Sequence, residues 1–259
     1  MGESLANKVV LVTGASSGIG AAICREFAKH GMIVVGAARR EDRLKALESE
    51  IQGTGTFHGI RCDLTNEKEI IGLFADIEAR FGGLDVCVNN AGIAKAGPIL
   101  EGSTETWTEM LQLNVLATAI CLRESVRLMH NRDSGHVIIV GSNIGHKVPP
   151  APVMHFYSAT KFAVRALADG LRQELIAEKS KVRVTHLAPG PVRTESTMTL
   201  FPNVPNINKI LYKEYNPLEA CDVAAAALYA LTAPPNVNVN EIILNPIEGE
   251  SIPRPKQFA

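Results

Sequence analysis

Apolar residues fall into two patterns along this chain, short uninterrupted runs and longer stretches with helical spacing, and the two alternate. Lys8-Val9-Val10-Leu11-Val12-Thr13 is a continuously apolar run, as a strand covered on both faces of a parallel sheet requires. An amphipathic segment over 21–30 predicts a helix, stopped by Gly31, and 32–38 predicts a second buried strand. The alternation continues with a helix over 40–51, a strand ending within 60–64, a helix over 67–81 closed by Gly82-Gly83, and a strand over 84–88. A helix starting at Ser103 or Thr104 should carry Trp107, Met110, Leu111 and Leu113, and should continue from Asn114 to Asn131. A strand over 135–140, a helix over 157–179, a strand over 182–187, a helix over 217–231 with Pro217 near its start, and a strand over 241–244 complete the series. Six strand–helix repeats and a closing strand predict one α/β domain over 1–259. Its core would be a doubly wound (Rossmann-type) seven-stranded parallel sheet with helices on both faces.

Two stretches break the alternation. Residues 195–216 have poor periodicity, three asparagines and two prolines near their centre, and are long for a connection. They also hold Met198, Leu200, Phe201, Ile207, Ile210, Leu211 and Tyr212. An apolar lid over a substrate, or side chains that simply pack the loop down, would each account for that composition. The tail over 245–259, with Pro246, Pro253 and Pro255, reads as irregular.

Composition narrows the classes. The chain is 46% hydrophobic and 20% charged, with a formal net charge of −1, so no bulk electrostatics favour nucleic acid or an anionic membrane. The five cysteines are scattered without C-x-x-C spacing, which suits reduced thiols in the cytoplasm rather than a disulfide frame. No signal-like apolar region precedes Val9, and no run approaches the ~18 apolar residues of a membrane span. The seven histidines show no paired ligand spacing, so no metal is expected.

Candidate chemistry sits where strands hand over to helices. Gly14-Ala15-Ser16-Ser17-Gly18-Ile19-Gly20 follows the first strand. There, backbone N–H groups and a positive helix end make an anion site, and glycine keeps side chains out of the way. After the second strand, the place where a carboxylate would accept a ribose 2′-hydroxyl is Ala38, followed by Arg39 and Arg40. That change suits a 2′-phosphate, hence NADP(H), although Arg40 also fits the start of a solvated helix. Asp63 or Thr65 would cap the helix beginning near Asn66. Ser142 reads as a turn serine bonding its own backbone, or as a reactive hydroxyl. Tyr157 and Lys161 are four apart, one turn on a helix. A free phenol titrates near pH ~10, and a close ammonium would lower that value.

The T-G-x-x-x-G-x-G turn over 13–20 resembles that of the short-chain dehydrogenase/reductase superfamily, and the resemblance recurs along nearly the whole chain. It is carried by Asn89-Asn90-Ala91-Gly92, by Ser142 three residues before Gly145, by Tyr157-x-x-x-Lys161 and by Pro189-Gly190-Pro191-Val192-Arg193-Thr194. The resemblance implies a catalytic set of Asn114, Ser142, Tyr157 and Lys161. Ser142 and Tyr157 would meet the substrate oxygen, and the Asn114 carbonyl would help to hold a water beside the lysine. It implies cofactor contacts from Gly14, Ser16, Ser17, Gly18, Ile19, Gly20, Arg39, Arg40, Asp63, Leu64, Asn90, Ala91 and Gly92. Tyr157, Lys161, Pro191, Val192 and Thr194 complete that set, with Asp63-Leu64 against the adenine. Ser142 and Tyr157 lie fifteen residues apart, longer than the commonest spacing, with Pro149, Pro150 and Pro152 between them. The close at Asn245-Pro246 departs from the acidic, glycine-rich ending of acyl-carrier ketoreductases. It is similar to a metazoan branch that includes farnesol dehydrogenases and dehydrogenase/reductase member eleven. The implied activity is NADP(H)-dependent interconversion of a lipophilic alcohol and its carbonyl, farnesol-, retinoid- or steroid-like. Broad reduction of small ketones and a non-catalytic NADPH sensor are the alternatives. A homodimer or homotetramer is expected, with one face of the 114–131 helix against the partner.

Overall fold

The inner strands form where the apolar runs are continuous, as in Val9–Thr13, whereas Thr56–Arg61 at the edge mixes polar and apolar residues. A computed structural model describes residues 4–53, 55–130, 134–200, 204–213 and 215–250, with the backbone alone at Thr197. The strands are β1 (Val9–Thr13), β2 (Ile33–Ala38), β3 (Thr56–Arg61), β4 (Val86–Asn89), β5 (Gly135–Val140), β6 (Val182–Pro189) and β7 (Glu241–Leu244). They make one seven-stranded sheet in the order β3-β2-β1-β4-β5-β6-β7, every pairing parallel. β1 is an interior strand, with Leu11 opposite Val35 on one side and Cys87 on the other. The strand order reverses direction between β1 and β4, the place where open α/β sheets bind ligands.

The helices are α1 (Gly18–Lys29), α2 (Glu41–Glu50), α3 (Glu67–Phe81), α4 (Thr104–Met110), α5 (Ala117–His130), α6 (His155–Ala177), α7 (Ser196–Leu200), α8 (Ile207–Leu211) and α9 (Ala220–Leu231). Strand side chains alternate faces, so each face of the sheet gathers its own core. Leu11, Val35 and Cys87 pack with Phe74 and Ile77 of α3, Leu128 of α5 and Val164 of α6. Val10, Val12, Val34 and Val88 pack with Ile23 and Phe27 of α1, Leu44 of α2 and Val223 of α9.

Several boundaries differ from the sequence reading. α1 starts at Gly18, inside the glycine turn, with Gly18 itself at φ +54°. β3 ends at Arg61, so Cys62-Asp63-Leu64 lies beyond the strand. α4 and α5 are joined by a π-helical turn over Leu111–Leu116, with Asn114 buried inside it. α9 begins at Ala220 through a capping box between Glu219 and Asp222, which leaves Pro217 outside. The 195–216 stretch holds two short helices, α7 and α8, while Phe201 lies outside the described residues. So do Asn131 and the tail from 251 on, including Pro253 and Pro255. The tail's first part is ordered: the Tyr215 hydroxyl donates to the Gly249 carbonyl at 2.8 Å and the Asn216 N–H to the Glu248 carboxylate at 2.8 Å. All five cysteines are free; Cys24, Cys62, Cys87 and Cys121 are buried and Cys221 is exposed. Burial pushes the Cys62 and Cys87 thiols up to about 12. Among the described residues no helix is long and apolar enough to cross a membrane.

Candidate active site

The site begins with a staple across the β1–β4 gap. The Thr13 hydroxyl accepts the backbone N–H groups of Asn90 at 3.0 Å and Ala91 at 3.1 Å. The Asn90 side chain returns a bond to the Thr13 carbonyl at 2.9 Å. Gly14 adopts φ +69°, a conformation that favours glycine, and turns the chain into α1. A β-carbon on Gly20 would lie 2.4 Å from the Gly14 carbonyl oxygen, so Gly20 serves the closure of this turn.

The N-terminus of α1 is left open. Its N-cap, Ser17, makes no side-chain cap bond, and its first turn carries no acidic residue. α3 and α4 differ, since Asn66 accepts from Lys68 N–H and Ser103 from Thr106 N–H. Uncapped N–H groups and the positive helix end favour an anion at α1.

From this helix end runs a cleft of about 380 Å³. Gly14, Ser16, Ser17, Gly18 and Ile19 form one edge, and Arg39 and Arg40 stand at the end of β2 beside Ala38. Asp63 and Leu64 line the wall, as do Asn90, Ala91 and Gly92; Tyr157 and Lys161 stand in it with Val140 and Gly141, and Thr194 lines it beside Gly18. Gly20, Asn114, Ser142, Pro191 and Val192 are absent from the wall. Pro191 and Val192 instead form a short parallel bridge with Leu218, which uses the Pro191 carbonyl and the Arg193 N–H but not the Val192 N–H. Asp63 caps no helix. Its carboxylate accepts the Thr65 N–H at 3.0 Å and hydroxyl at 2.8 Å, and the backbone bond holds its pKa below the ordinary value.

Arg40 occupies the N-cap position of α2, yet its side chain reaches back to the glycine turn. Its Nε and Nη2 donate to Ser16 Oγ at 3.1 and 3.0 Å, and Nη2 also to Ser17 Oγ at 2.6 Å. Its Nη1 meets Glu195 at 3.0 Å, and Arg43 meets the same carboxylate at 2.7 Å. Arg39 makes no ion pair with a described residue.

At the other end, α6 presents Tyr157 and Lys161 one turn apart. Lys161 Nζ donates to the Val140 carbonyl at 3.1 Å and lies 5.6 Å from the centre of the Tyr157 ring. Lys161 is only 5% exposed, and burial lowers its pKa to about 8. Burial raises the half-buried Tyr157 phenol above its ordinary value. Burial is the cause of that rise, and the Lys161 ammonium is turned toward the Val140 carbonyl.

Asn114 acts through its side chain. Its Oδ1 accepts the Ile93 N–H at 2.8 Å, and its Nδ2 donates to the Ile93 carbonyl at 2.8 Å and to Thr160 Oγ1 at 3.1 Å. Its carbonyl, the expected water holder, accepts the Thr118 hydroxyl at 2.8 Å. Ser142 lies just beyond β5 and donates to the Pro189 carbonyl at 3.2 Å. Its turn is tied to α6 through Ser158, which donates to the Ile144 carbonyl at 2.6 Å.

Sequence reading missed Thr13 as the staple, although a hydroxyl ending an apolar strand was a usable signal. It also missed Arg43, Glu195 and Thr199, which come together only in the fold. The 245–250 segment returns to the site, where its Glu250 carbonyl and Asn245 side chain accept from Asn143 at 2.7 and 2.9 Å. Behind Gly141, His146, His186 and Glu241 bring ligand atoms within 4.8 Å of one another. Hydrogen bonding accounts for them, since His146 Nε2 and His186 Nδ1 each lie 2.8 Å from one Glu241 oxygen. The outer nitrogens are buried without a partner among the described residues. A metal on the inner nitrogens would force protons onto these outer ones, for which the described residues offer no acceptor.

The short chain dehydrogenase family model matches residues 8–205. The chain is 45% identical over 251 residues to "Dehydrogenase/reductase SDR family member 11" of Gallus gallus, covering 95% of this chain and 98% of that protein. It is 39% identical over 246 residues to the farnesol dehydrogenase of Aedes aegypti, covering 93% and 97%. Among solved structures, the closed form of serine dehydrogenase complexed with NADP+ superposes with a TM-score of 0.86 at 31% identity, covering 95% and 99%. An alcohol dehydrogenase from Thermococcus sibiricus complexed with 5-hydroxy-NADP gives 0.80 at 28% identity, covering 93% and 97%.

Proposed function

Since the chain belongs to the short chain dehydrogenase family, we propose that it is an NADP(H)-dependent oxidoreductase interconverting a lipophilic alcohol and its carbonyl. One observation carries the reading: the open α1 N-terminus, the two arginines and the Tyr157–Lys161 pair share a single cleft. The fit to the cofactor rests on chemistry present at each station. Uncapped N–H groups at Ser17, Gly18 and Ile19 suit the bridging phosphates, and Arg39 and Arg40, with no carboxylate at Ala38, suit a 2′-phosphate. Asp63 and Leu64 would flank the adenine. Gly14, Ser16, Asn90, Ala91 and Gly92 would border the rest of the cofactor, and Gly20 would keep its turn closed. Lys161 would hold the nicotinamide ribose, with Pro191, Val192 and Thr194 on the nicotinamide side. NADP-bound relatives of similar fold support the same choice.

The cofactor supplies or accepts the hydride when bound. Tyr157 gives its proton to the substrate oxygen in reduction and takes it back in oxidation. A half-buried phenol whose surroundings favour the protonated form is suited to the first role. Ser142 donates to the same oxygen once its hydroxyl leaves Pro189. Asn114 fixes Ile93 and, through Thr160, the first turn of α6, and so sets where Tyr157 stands.

A lipophilic substrate is supported by the likeness to farnesol dehydrogenase; we read 195–216 as the substrate loop of one 1–259 domain, with Ile207 and Leu211 packing it down and Met198 left exposed. Exposed Leu111 and Leu116 on the α4–α5 stretch and Phe162 and Ile176 on α6 support a homodimer or homotetramer. Five unpaired cysteines fit a cytoplasmic setting. The test is NADPH binding by fluorescence, followed by cofactor turnover with farnesol, a retinoid, steroid ketones and small aromatic ketones. Turnover confined to small ketones would sink the lipophilic reading, and binding without any turnover would sink the enzyme.

A further inference from the structure

Glu195 follows directly on Thr194 and begins the segment that crosses the cleft. Its carboxylate lies between two guanidiniums, with Arg40 Nη1 3.0 Å from Oε2 and Arg43 Nη1 2.7 and 2.8 Å from the two oxygens. Four residues on, Thr199 Oγ1 donates to the Ala94 carbonyl on the opposite wall at 2.8 Å. The start of the loop is thus fastened on both sides of the cleft, and its arginine end lies where Arg40 meets Ser16 and Ser17. Glu195, Arg40 and Arg43 are all about half exposed, so each pairing contributes little and the carboxylate is exchangeable. A phosphate monoester brings a larger charge and three acceptor oxygens to the same donors. A ribose 2′-hydroxyl brings neither and can leave the carboxylate in place.

We propose that Glu195 is a specificity-determining residue, an internal anion that occupies Arg40 and Arg43 and that a ribose 2′-phosphate must displace. This rests on the cofactor reading above. Arg43 then joins the 2′-phosphate site, and the margin between NADPH and NADH is narrower than three unopposed arginines would give. Loading the phosphorylated cofactor also frees one fastening of the 195–216 loop.

The test compares wild type with Glu195→Gln in fluorescence titrations with NADPH and NADH, and in competition with 2′,5′-ADP and 5′-ADP. The variant is expected to bind NADPH and 2′,5′-ADP about three- to ten-fold more tightly, the worth of one or two exposed ion pairs. NADH and 5′-ADP should stay unchanged, and Arg43→Gln added to Glu195→Gln should remove the gain. Weaker NADPH binding in Glu195→Gln, or an equal shift for both cofactors, would overturn the proposal and make Glu195 a mere support for Arg40. A wild type that prefers 2′,5′-ADP over 5′-ADP, with that preference untouched in Glu195→Gln, overturns this inference alone. A wild type without that preference overturns the cofactor reading, and this inference with it.

Discussion

A lysine ammonium in a dry wall, held by one carbonyl, costs the fold stability that a neutral side chain would not. Lys161 has a pKa of about 8 in the folded chain against an ordinary 10.5. Below pH 8 both folded and unfolded chains carry the proton and the penalty is complete. Between 8 and 10.5 the unfolded chain binds more protons, so stability rises with pH. The gap corresponds to about 3 kcal/mol at most. Lys161→Met should therefore raise the unfolding free energy at pH 7 while abolishing turnover, and its advantage should shrink by pH 10. Denaturant titrations at both pH values check this, and a variant less stable than wild type at pH 7 would contradict it. Tyr157→Phe should lower kcat by a factor of about 10² to 10⁴, the usual worth of a positioned proton donor. NADPH affinity should be nearly untouched, because the hydroxyl alone is lost, and a near-normal rate would reject the mechanism. The four-residue spacing of this pair was legible in the sequence. The desolvation of both groups was not, because burial belongs to the surrounding fold rather than to the two residues.

At the scale of elements, the Thr13 hydroxyl decides how the strand ends meet at the switch point. Thr13→Val would leave the Asn90 and Ala91 N–H groups without their acceptor, at about 1–3 kcal/mol for each group that stays unpaired. Urea unfolding should show that loss, and Thr13→Ser should largely recover it. Equal losses in the two variants would refute the staple. Strands such as Val9–Thr13 could be read ahead because an uninterrupted apolar run has few other uses. The π turn at Leu111–Leu116 could not, since one extra residue per turn leaves no mark in a short amphipathic pattern. Asn114 entered the candidate site through the resemblance, at a place in a predicted helix where asparagine is a mediocre helix former. The fold then shows why it is there, in its bonds to Ile93 and Thr160.

For the molecule as a whole, alternation of strand and helix foretold the parallel sheet, and the glycine turn, the arginines and the Tyr157–Lys161 pair foretold most of one cleft. Contacts between residues distant in sequence were beyond it. The 245–250 segment carries no periodicity, yet it returns to Asn143 beside Ser142. The apolar positions left exposed on the neighbouring α4–α5 stretch and α6 lead to a prediction about assembly. Light scattering should give two or four times the 27.8 kDa chain mass. Leu116→Glu with Phe162→Glu should give the single chain, and an unchanged mass would move the interface elsewhere. Finally, the placement of the thiols makes the chain its own gauge of opening. Cys221 stands exposed on the first turn of α9 and the other four are sealed in the core, so a maleimide dye should label the native protein once and the denatured protein five times. The rate at which the last four labels appear would report the opening of the two packed faces, with no probe engineered into the molecule.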